Sequence, residues 1–371
     1  MDPHLQTPSG KPRARSLIGG FPGTPGPWNA ITDVPGVEVG YTTLIEGTDV
    51  RTGVTAICPR GRDRSDDPCA AAYVSLNGNG EMTGVSWIAE SGTLALPVTI
   101  THTHAVGVAH EAVALWSAGH YPALRELWML PVAAETFDGY LNDINGGHVR
   151  REHVVAAVES AATGPIEEGS VGGGTGMNCY AFKGGSGTAS RVVHVAGREH
   201  VVGAFLQCNF GSRDELTIRG HHVGPQLADD NPLEETDWLH PGGGSVIGVI
   251  ATDAPLLPGQ CAALARRVPL GLARTGTTGS HFSGDLFLAF SVANQGAFAI
   301  GFPEGDPPPD ATGSLEFIQW KHLDPLYAGV VETVEEAALN ALTANEDMTG
   351  RLGHRTPALP RHRVGPLLAG G

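Results

Sequence analysis

The segment Val246-Ile247-Gly248-Val249-Ile250-Ala251-Thr252 shows no alternation of polar and apolar residues. That is the pattern of a strand buried on both faces rather than on one. Directly before it stands Gly242-Gly243-Gly244-Ser245. Glycine lets the backbone occupy conformations that a Cβ forbids. A hydroxyl therefore sits at the head of a rigid core strand, behind a peptide bond that is easily strained. Taken alone, the junction reads as a glycine-rich turn into a strand; a second reading makes Ser245 a reactive residue.

Strand patterns fill the first hundred residues, at 37–44, 53–58, 70–76, 83–90 and 98–101. Helical spacing follows over 107–118, through Val108, Ala112, Val113 and Trp116, and over 150–162, through Val154, Val155 and Val158. Strands resume at 179–182, 192–195, 202–208 and 246–252. Pro258 suits the first turn of a helix over 258–267. A further strand is expected at 286–292, and Asp324-Pro325 opens a long helix to residue 344. The tail from Thr349 reads as extended. Strands in runs and helices in pairs, without βαβ alternation, favour an α+β layered sandwich over a doubly wound sheet. Glycine, 52 of 371 residues, is interspersed with these strand patterns and implies many tight turns. Residues 1–27 read as an irregular arm rich in Pro and Gly, and residues 28–371 as one domain. Within it, 226–244 reads as an exposed acidic loop where a cut spares core packing.

No stretch is long and apolar enough to span a bilayer. The arm lacks the apolar centre of a secretory signal, so a cytoplasmic protein is expected. A net charge of −16 with no cluster of Lys and Arg argues against nucleic acid as partner and suits cationic substrates. The five cysteines are odd in number and show no CxxC spacing, which argues against structural zinc and a disulfide framework. Cys179 and Cys208 lie in apolar segments and read as buried small hydrophobes.

Familiar catalytic templates fail. Ile247 occupies the final glycine position of GxSxG, Gly78-Asn79-Gly80 misses the dinucleotide fingerprint by one position, and there is no Walker loop. His102 and His104, two apart at a strand end, share a face. With His110 and Glu111 on the following helix, or with His221-His222, they offer a catalytic metal, but no second ligand set has recognisable spacing. Polar edge histidines are the plainer reading. The serine reading gains from Ser283-Gly284-Asp285 at the head of the strand expected downstream, where a hydroxyl and a carboxylate can form a relay. A serine hydroxyl needs a base, which an N-terminal amine supplies once the peptide before it is cut. Asn209 offers an amide donor for an oxyanion, and Glu135 a carboxylate for a substrate ammonium. Singly, each has a structural reading: Ser283 a turn hydroxyl, Asp285 a cap or ion-pair partner, Asn209 a turn residue, Glu135 a surface acid.

Together these residues fall into an ordered set of segments. The set runs through Asn29-Ala30-Ile31-Thr32-Asp33-Val34-Pro35-Gly36-Val37, Glu135-Thr136-Phe137-Asp138-Gly139-Tyr140-Leu141-Asn142-Asp143 and Gly172-Gly173-Gly174-Thr175-Gly176-Met177. It continues with Phe182-Lys183-Gly184-Gly185, Asn209-Phe210-Gly211, Gly244-Ser245 and Ser283-Gly284-Asp285. From residue 28 to 345 the chain resembles the self-processing serine aminopeptidases of the L-aminopeptidase/D-esterase and β-peptidyl aminopeptidase group. The resemblance implies an αββα sandwich similar to that of N-terminal-nucleophile hydrolases but differently connected. It implies an inactive precursor cut between Gly244 and Ser245 into chains of 1–244 and 245–371 that stay associated, usually as a homotetramer. Ser245 would be nucleophile and new N-terminus, with Ser283 and Asp285 assisting and orienting it. Asn209 would contribute to the oxyanion hole, and Glu135 would bind the substrate's free amine. Phe137 stands where Tyr or Trp is expected, so a hydroxyl is missing from the pocket; Tyr140 is a candidate to replace it.

The expected function is a cofactor-free aminopeptidase or amidase acting on short peptides, amides or esters through an acyl-enzyme on Ser245, with aminolysis as a side activity. The rivals are a metallohydrolase on His102 and His104, and a non-catalytic oligomer that keeps the sandwich and binds a ligand.

Overall fold

In the computed structural model, which describes residues 2–234, 244–302, 305–306 and 311–369, the apolar run after Ser245 is an inner strand of a six-stranded sheet. The first strands are β1 (Glu38–Glu46), β2 (Val50–Cys58), β3 (Cys69–Gly78), β4 (Thr93–Leu94), β5 (Val98–His102) and β6 (Ala133–Thr136). A short pair, β7 (Asn178–Cys179) and β8 (Phe182–Lys183), precedes β9 (Gly185–Val195) and β10 (Arg198–Asn209). A second pair, β11 (Thr217–Ile218) and β12 (His221–His222), precedes β13 (Gly244–Thr252) and β14 (Ser283–Ser291). The helices are α1 (Ala14–Ile18), α2 (Val85–Ser91), α3 (Val106–His120), α4 (Arg151–Glu159), α5 (Pro258–Ala265), α6 (Val268–Ala273), α7 (Asp324–Thr343) and α8 (Arg361–Ala369).

The larger sheet runs β4-β3-β14-β13-β10-β9 and the smaller β1-β2-β5-β6. Helices α5 and α6 lie between β13 and β14 in sequence, as the parallel pairing of those strands requires. One face of β13 and β14 carries Ile247, Val249, Leu286 and Leu288, which meet Ile57, Val98 and Ile100 of the smaller sheet. The other face carries Val246, Ile250, Phe287 and Ala289, which meet Leu264, Val268, Val330 and Val334 of α5, α6 and α7. Ala109, Val113, Val154 and Val158 of α3 and α4 cover the outer face of the smaller sheet at Val54 and Ala56. The result is the expected αββα sandwich. It explains the non-alternating run: both faces of β13 are apolar because both are covered.

The arm before residue 28 is irregular apart from α1, yet it is fixed by buried ion pairs. Arg13 meets Glu168 at 2.7 Å, and Arg15 meets Glu336 of α7 at 2.6 Å. Glu336 also receives Arg191 of β9 at 2.7 Å and the Asn29 amide at 2.6 Å. Burial alone would raise the Glu336 carboxyl, but Arg15 and Arg191 outweigh it and hold the group below its ordinary range.

Three segments depart from expectation. Residues 83–90 are not a strand: α2 occupies 85–91 between Gly84 and Gly92, both left-handed, and only Met82 makes a bridge, to Ala134. Apolar Val85 and Ile88, three apart, serve a helix with one buried side. Residues 179–182 are a hairpin rather than one strand, because Tyr180 and Ala181 both turn at φ 54 between β7 and β8. The tail is not simply extended, since Met348 and Thr349 pair with Thr356 and Arg355 as short strands and α8 follows. Of the expected acidic loop, 235–243 lies outside the described residues. Its first part is anchored: Leu227 is buried and Asp229 pairs with Arg363 at 2.7 Å.

Arg191→Met leaves Glu336 buried with one cation fewer, and is expected to lower stability by about 3 kcal/mol, read as a fall in the urea midpoint. Because Glu336 is depressed in the folded state, its contribution is full above the ordinary carboxylate range and is lost as pH falls through the lowered value. The difference between the two proteins therefore narrows in acid.

Candidate active site

Strand register assembles the site. β10 and β13 set Asn209 opposite Ser245, so both side chains stand on one face of the sheet. By alternation Ser245 shares the face of Ile247 and Val249, toward the smaller sheet. There β6 ends at Glu135 and Thr136, and the Asn209 side chain reaches across. Its Nδ2 donates to the Phe137 carbonyl at 3.0 Å, and its Oδ1 accepts the Asn178 N–H at 2.8 Å. Gln207, two residues earlier on the same face, donates to Thr136 Oγ1 at 2.8 Å and to the Thr101 carbonyl at 3.1 Å. Gly80 fills the remaining gap: a Cβ there would lie 3.1 Å from Gly284 Cα and 3.2 Å from Glu135 Oε1. Gly284 is the neighbour of Ser245 across β13 and β14. Glu135 is thus one glycine away from the backbone flanking Ser245.

The Ser245 hydroxyl donates to the Gly244 carbonyl at 2.6 Å, beside the peptide that precedes it. Gly244 itself opens β13, and a Cβ on it would collide with the Asn209 carbonyl, so a glycine is needed there for close approach. Ser283 lies beside Gly244 in the parallel register. Its hydroxyl donates to Asp285 Oδ1 at 2.5 Å, and the Asp285 N–H donates to Asn77 Oδ1 at 3.0 Å. By alternation Ser283 and Asp285 share the helix-facing side of β14 with Phe287 and Ala289. The relay therefore flanks the backbone at the Gly244–Ser245 bond rather than the Ser245 side chain. That position suits orientation of the Ser245 nitrogen.

All five residues are buried: Ser245 is 3% exposed, Asn209 6% and Glu135 2%. Glu135 is not a surface acid, Asn209 ends a strand rather than forming a turn, and Asp285 lies within a strand. Burial pushes both the Glu135 and the Asp285 carboxyls above their ordinary range. Glu135 Oε1 accepts the Glu81 N–H at 2.9 Å, and Oε2 accepts the Thr103 hydroxyl. Among the described residues no Lys or Arg forms an ion pair with it. A buried carboxylate held by hydrogen bonds but lacking a counter-charge is a place for a ligand's cation.

The histidines do not form the expected pair. Strand β5 ends at His102, which is buried with Nδ1 unbonded and is pushed down to about 4 by burial. His104 has already entered the turn Thr103–Ala105, where it is exposed and bonds Asn145 Oδ1 at 2.9 Å. Among the described residues no three His, Cys, Asp or Glu side chains are grouped to hold a metal. All five cysteines are buried and unbridged, Cys179 and Cys208 included. Tyr140 does not replace the missing hydroxyl near Phe137: its own reaches the Arg355 carbonyl at 3.4 Å and its ring stacks on His354. Sequence reasoning missed Thr103, Asn77 and Gln207. Only Gln207 left a signal, as a polar residue inside the apolar run before Asn209.

Residues 29–356 match the model of peptidase family S58. The β-peptidyl aminopeptidase of Sphingosinicella microcystinivorans is 44% identical, over 96% of this chain and 92% of that protein. A β-aminopeptidase of Burkholderia sp. superposes with a TM-score of 0.88 at 44% identity, over 96% of this chain and 98% of the other. The L-aminopeptidase D-Ala-esterase/amidase of Ochrobactrum anthropi, a prototype of the serine aminopeptidases and a variant of the Ntn hydrolase fold, superposes with the same score at 43% identity. That match covers 97% of this chain and 99% of the other.

Because burial raises Glu135, its affinity for an ammonium ligand is expected to fall at a pH above the ordinary carboxylate range as the solution is acidified. Inhibition by a primary amine, measured against pH, checks this. Glu135→Gln should weaken the amine by about 30-fold or more at neutral pH and flatten the profile.

Proposed function

The chain belongs to peptidase family S58, and from that premise we propose that it is a self-processing serine aminopeptidase that needs no cofactor. Residues 28–371 act as one catalytic domain, cut between Gly244 and Ser245 into chains of 1–244 and 245–371. The substrates are short peptides, amino-acid amides or esters with a free amino group. The observation that carries this reading is the Ser245 hydroxyl and the Asn209 amide on one buried face, with the buried Glu135 carboxylate one glycine away from the backbone beside Ser245.

The first cut begins when Ser245 Oγ attacks the Gly244 carbonyl carbon. The peptide C–N bond breaks, an ester forms, and the freed nitrogen takes the hydroxyl proton. Water hydrolyses the ester, leaving a Gly244 carboxylate and a Ser245 α-amine. In turnover that amine takes the Ser245 hydroxyl proton as Oγ attacks the substrate carbonyl, while Asn209 Nδ2 donates to the oxyanion. Ser283, tied to Asp285, orients the amine. The proton passes to the leaving amine or alcohol, and water releases the acyl group. An incoming amine in place of water gives ligation. Glu135 holds the substrate's ammonium, so one residue fits between it and Ser245 and the enzyme removes N-terminal residues singly.

The family resemblance further supports assembly as a homotetramer. Among the described residues no helix is long and apolar enough to cross a membrane. Ser245→Ala is expected to remain one chain on denaturing electrophoresis and to hydrolyse no amino-acid amide. A chelator should leave the wild-type rate unchanged. Turnover surviving in Ser245→Ala, or lost to the chelator, would overturn the reading.

A further inference from the structure

Lys183, on β8, is fully buried, and among the described residues it has no ion-pair partner. Its Nζ donates to the Met177 carbonyl at 2.6 Å and to the Gly184 carbonyl at 2.9 Å. Burying a lysine without a carboxylate is costly, and burial lowers this one to about 7. The two carbonyls do not need it. Met177 O already accepts the Gly184 N–H at 2.9 Å, and Gly184 O already accepts the Asn345 amide at 3.0 Å. An apolar side chain of the same length would leave neither acceptor orphaned, so satisfaction of the backbone does not account for this lysine.

Its place in the hydrogen-bond chain does. The Met177 carbonyl and the Asn178 N–H belong to one peptide group. Lys183 donates to the oxygen of that group, and its N–H donates to Asn209 Oδ1 at 2.8 Å. One Nδ2 hydrogen of Asn209 is held by the Phe137 carbonyl at 3.0 Å; the amide carries a second. Hydrogen bonds in series polarise one another. A donor on Met177 O makes the Asn178 N–H a stronger donor, which draws electron density toward Asn209 Oδ1 and leaves its Nδ2 a stronger donor in turn.

We propose that Lys183 is a positioning residue of the oxyanion hole, clamping and polarising the Met177–Asn178 peptide so that the Asn209 amide meets the developing oxyanion in a fixed orientation. The inference rests on Asn209 being the oxyanion donor. It adds a residue that touches neither substrate nor nucleophile.

A double-variant cycle on the full chain tests it. In folded, two-chain protein, Lys183→Met should lower kcat on an amino-acid amide about tenfold, with KM within about twofold, less than the 10²–10³ typical of removing an oxyanion donor itself. Asn209→Ala should show that larger loss. Because Lys183 acts through Asn209, the double variant should fall no more than about twofold below Asn209→Ala. Lys183→Gln, which keeps a donor, should lie between Lys183→Met and wild type. Where a variant is cut too slowly to be isolated as two chains, the rate of its own Gly244–Ser245 cleavage, ranked in the same order, is the readout. Full kcat in Lys183→Met, or losses that multiply in the double variant, would overturn the proposal. So would failure of both Lys183 variants to fold, which would assign the lysine to folding. Turnover surviving in Ser245→Ala sinks the proposed function itself; an inactive Ser245→Ala with multiplying losses sinks only this inference.

Discussion

Two-sided burial of β13 is the constraint on which the site depends. The strand has apolar residues on both faces, β10 on one flank and β14 on the other. A slip of one residue against either neighbour would exchange its two faces and break both packings at once. The register is therefore held by the whole core, and it carries Ser245 opposite Asn209 and Gly244 beside Ser283. A hydroxyl at the end of such a strand is positioned without needing a hydrogen bond of its own to hold it.

The buried ionisable groups divide by whether the fold supplies their partners. Glu168 and Glu336 each meet arginines and fasten the arm to β9 and α7. Glu135 and Lys183 lie as deep, among the described residues neither forms an ion pair with a Lys, Arg, Asp or Glu, and burial drives each toward its neutral form. An uncompensated charge is expensive to keep in a core. Both such groups lie around Asn209: one across Gly80 from the strand next to Ser245, the other behind the peptide that holds the Asn209 side chain. Asp138, in the same segment as Glu135, is pushed up to about 7 by burial, and one of its oxygens lacks a hydrogen bond. The contrast separates groups paired with arginines inside the fold from groups left unpaired around Asn209.

Much of this was legible in the sequence, because burial on two faces and helical spacing are local patterns. The runs that became β2, β3, β13 and β14 and the stripes of α3, α4 and α7 were readable as such. Residues 83–91 were not, since four apolar positions in a short segment fit a strand or a one-sided helix, and the choice rests on the left-handed Gly84 and Gly92. The hairpin at Tyr180 and Ala181 was hidden because neither residue ordinarily favours positive φ. Single residues such as Glu135 and Asn209 read locally as a surface acid and a turn amide. Their meaning comes from strand pairings between separate segments, Asn209 with Ser245 and Glu135 with Thr101, which only the ordered family segments disclosed in advance. Lys183 gave no local sign of its environment, because its two acceptors and the Asn209 contact exist only after the 177–184 turn has closed.

The central claim is that Ser245 carries the acyl group as the first residue of its own chain. It is tested most directly by the intact mass of enzyme quenched in acid during turnover of an amino-acid ester. The expected result is an unmodified chain of residues 1–244 and a second chain of residues 245–371 whose mass is raised by one aminoacyl group at Ser245. An acyl group on the 1–244 chain, or fully active material that remains one uncut chain, would contradict it.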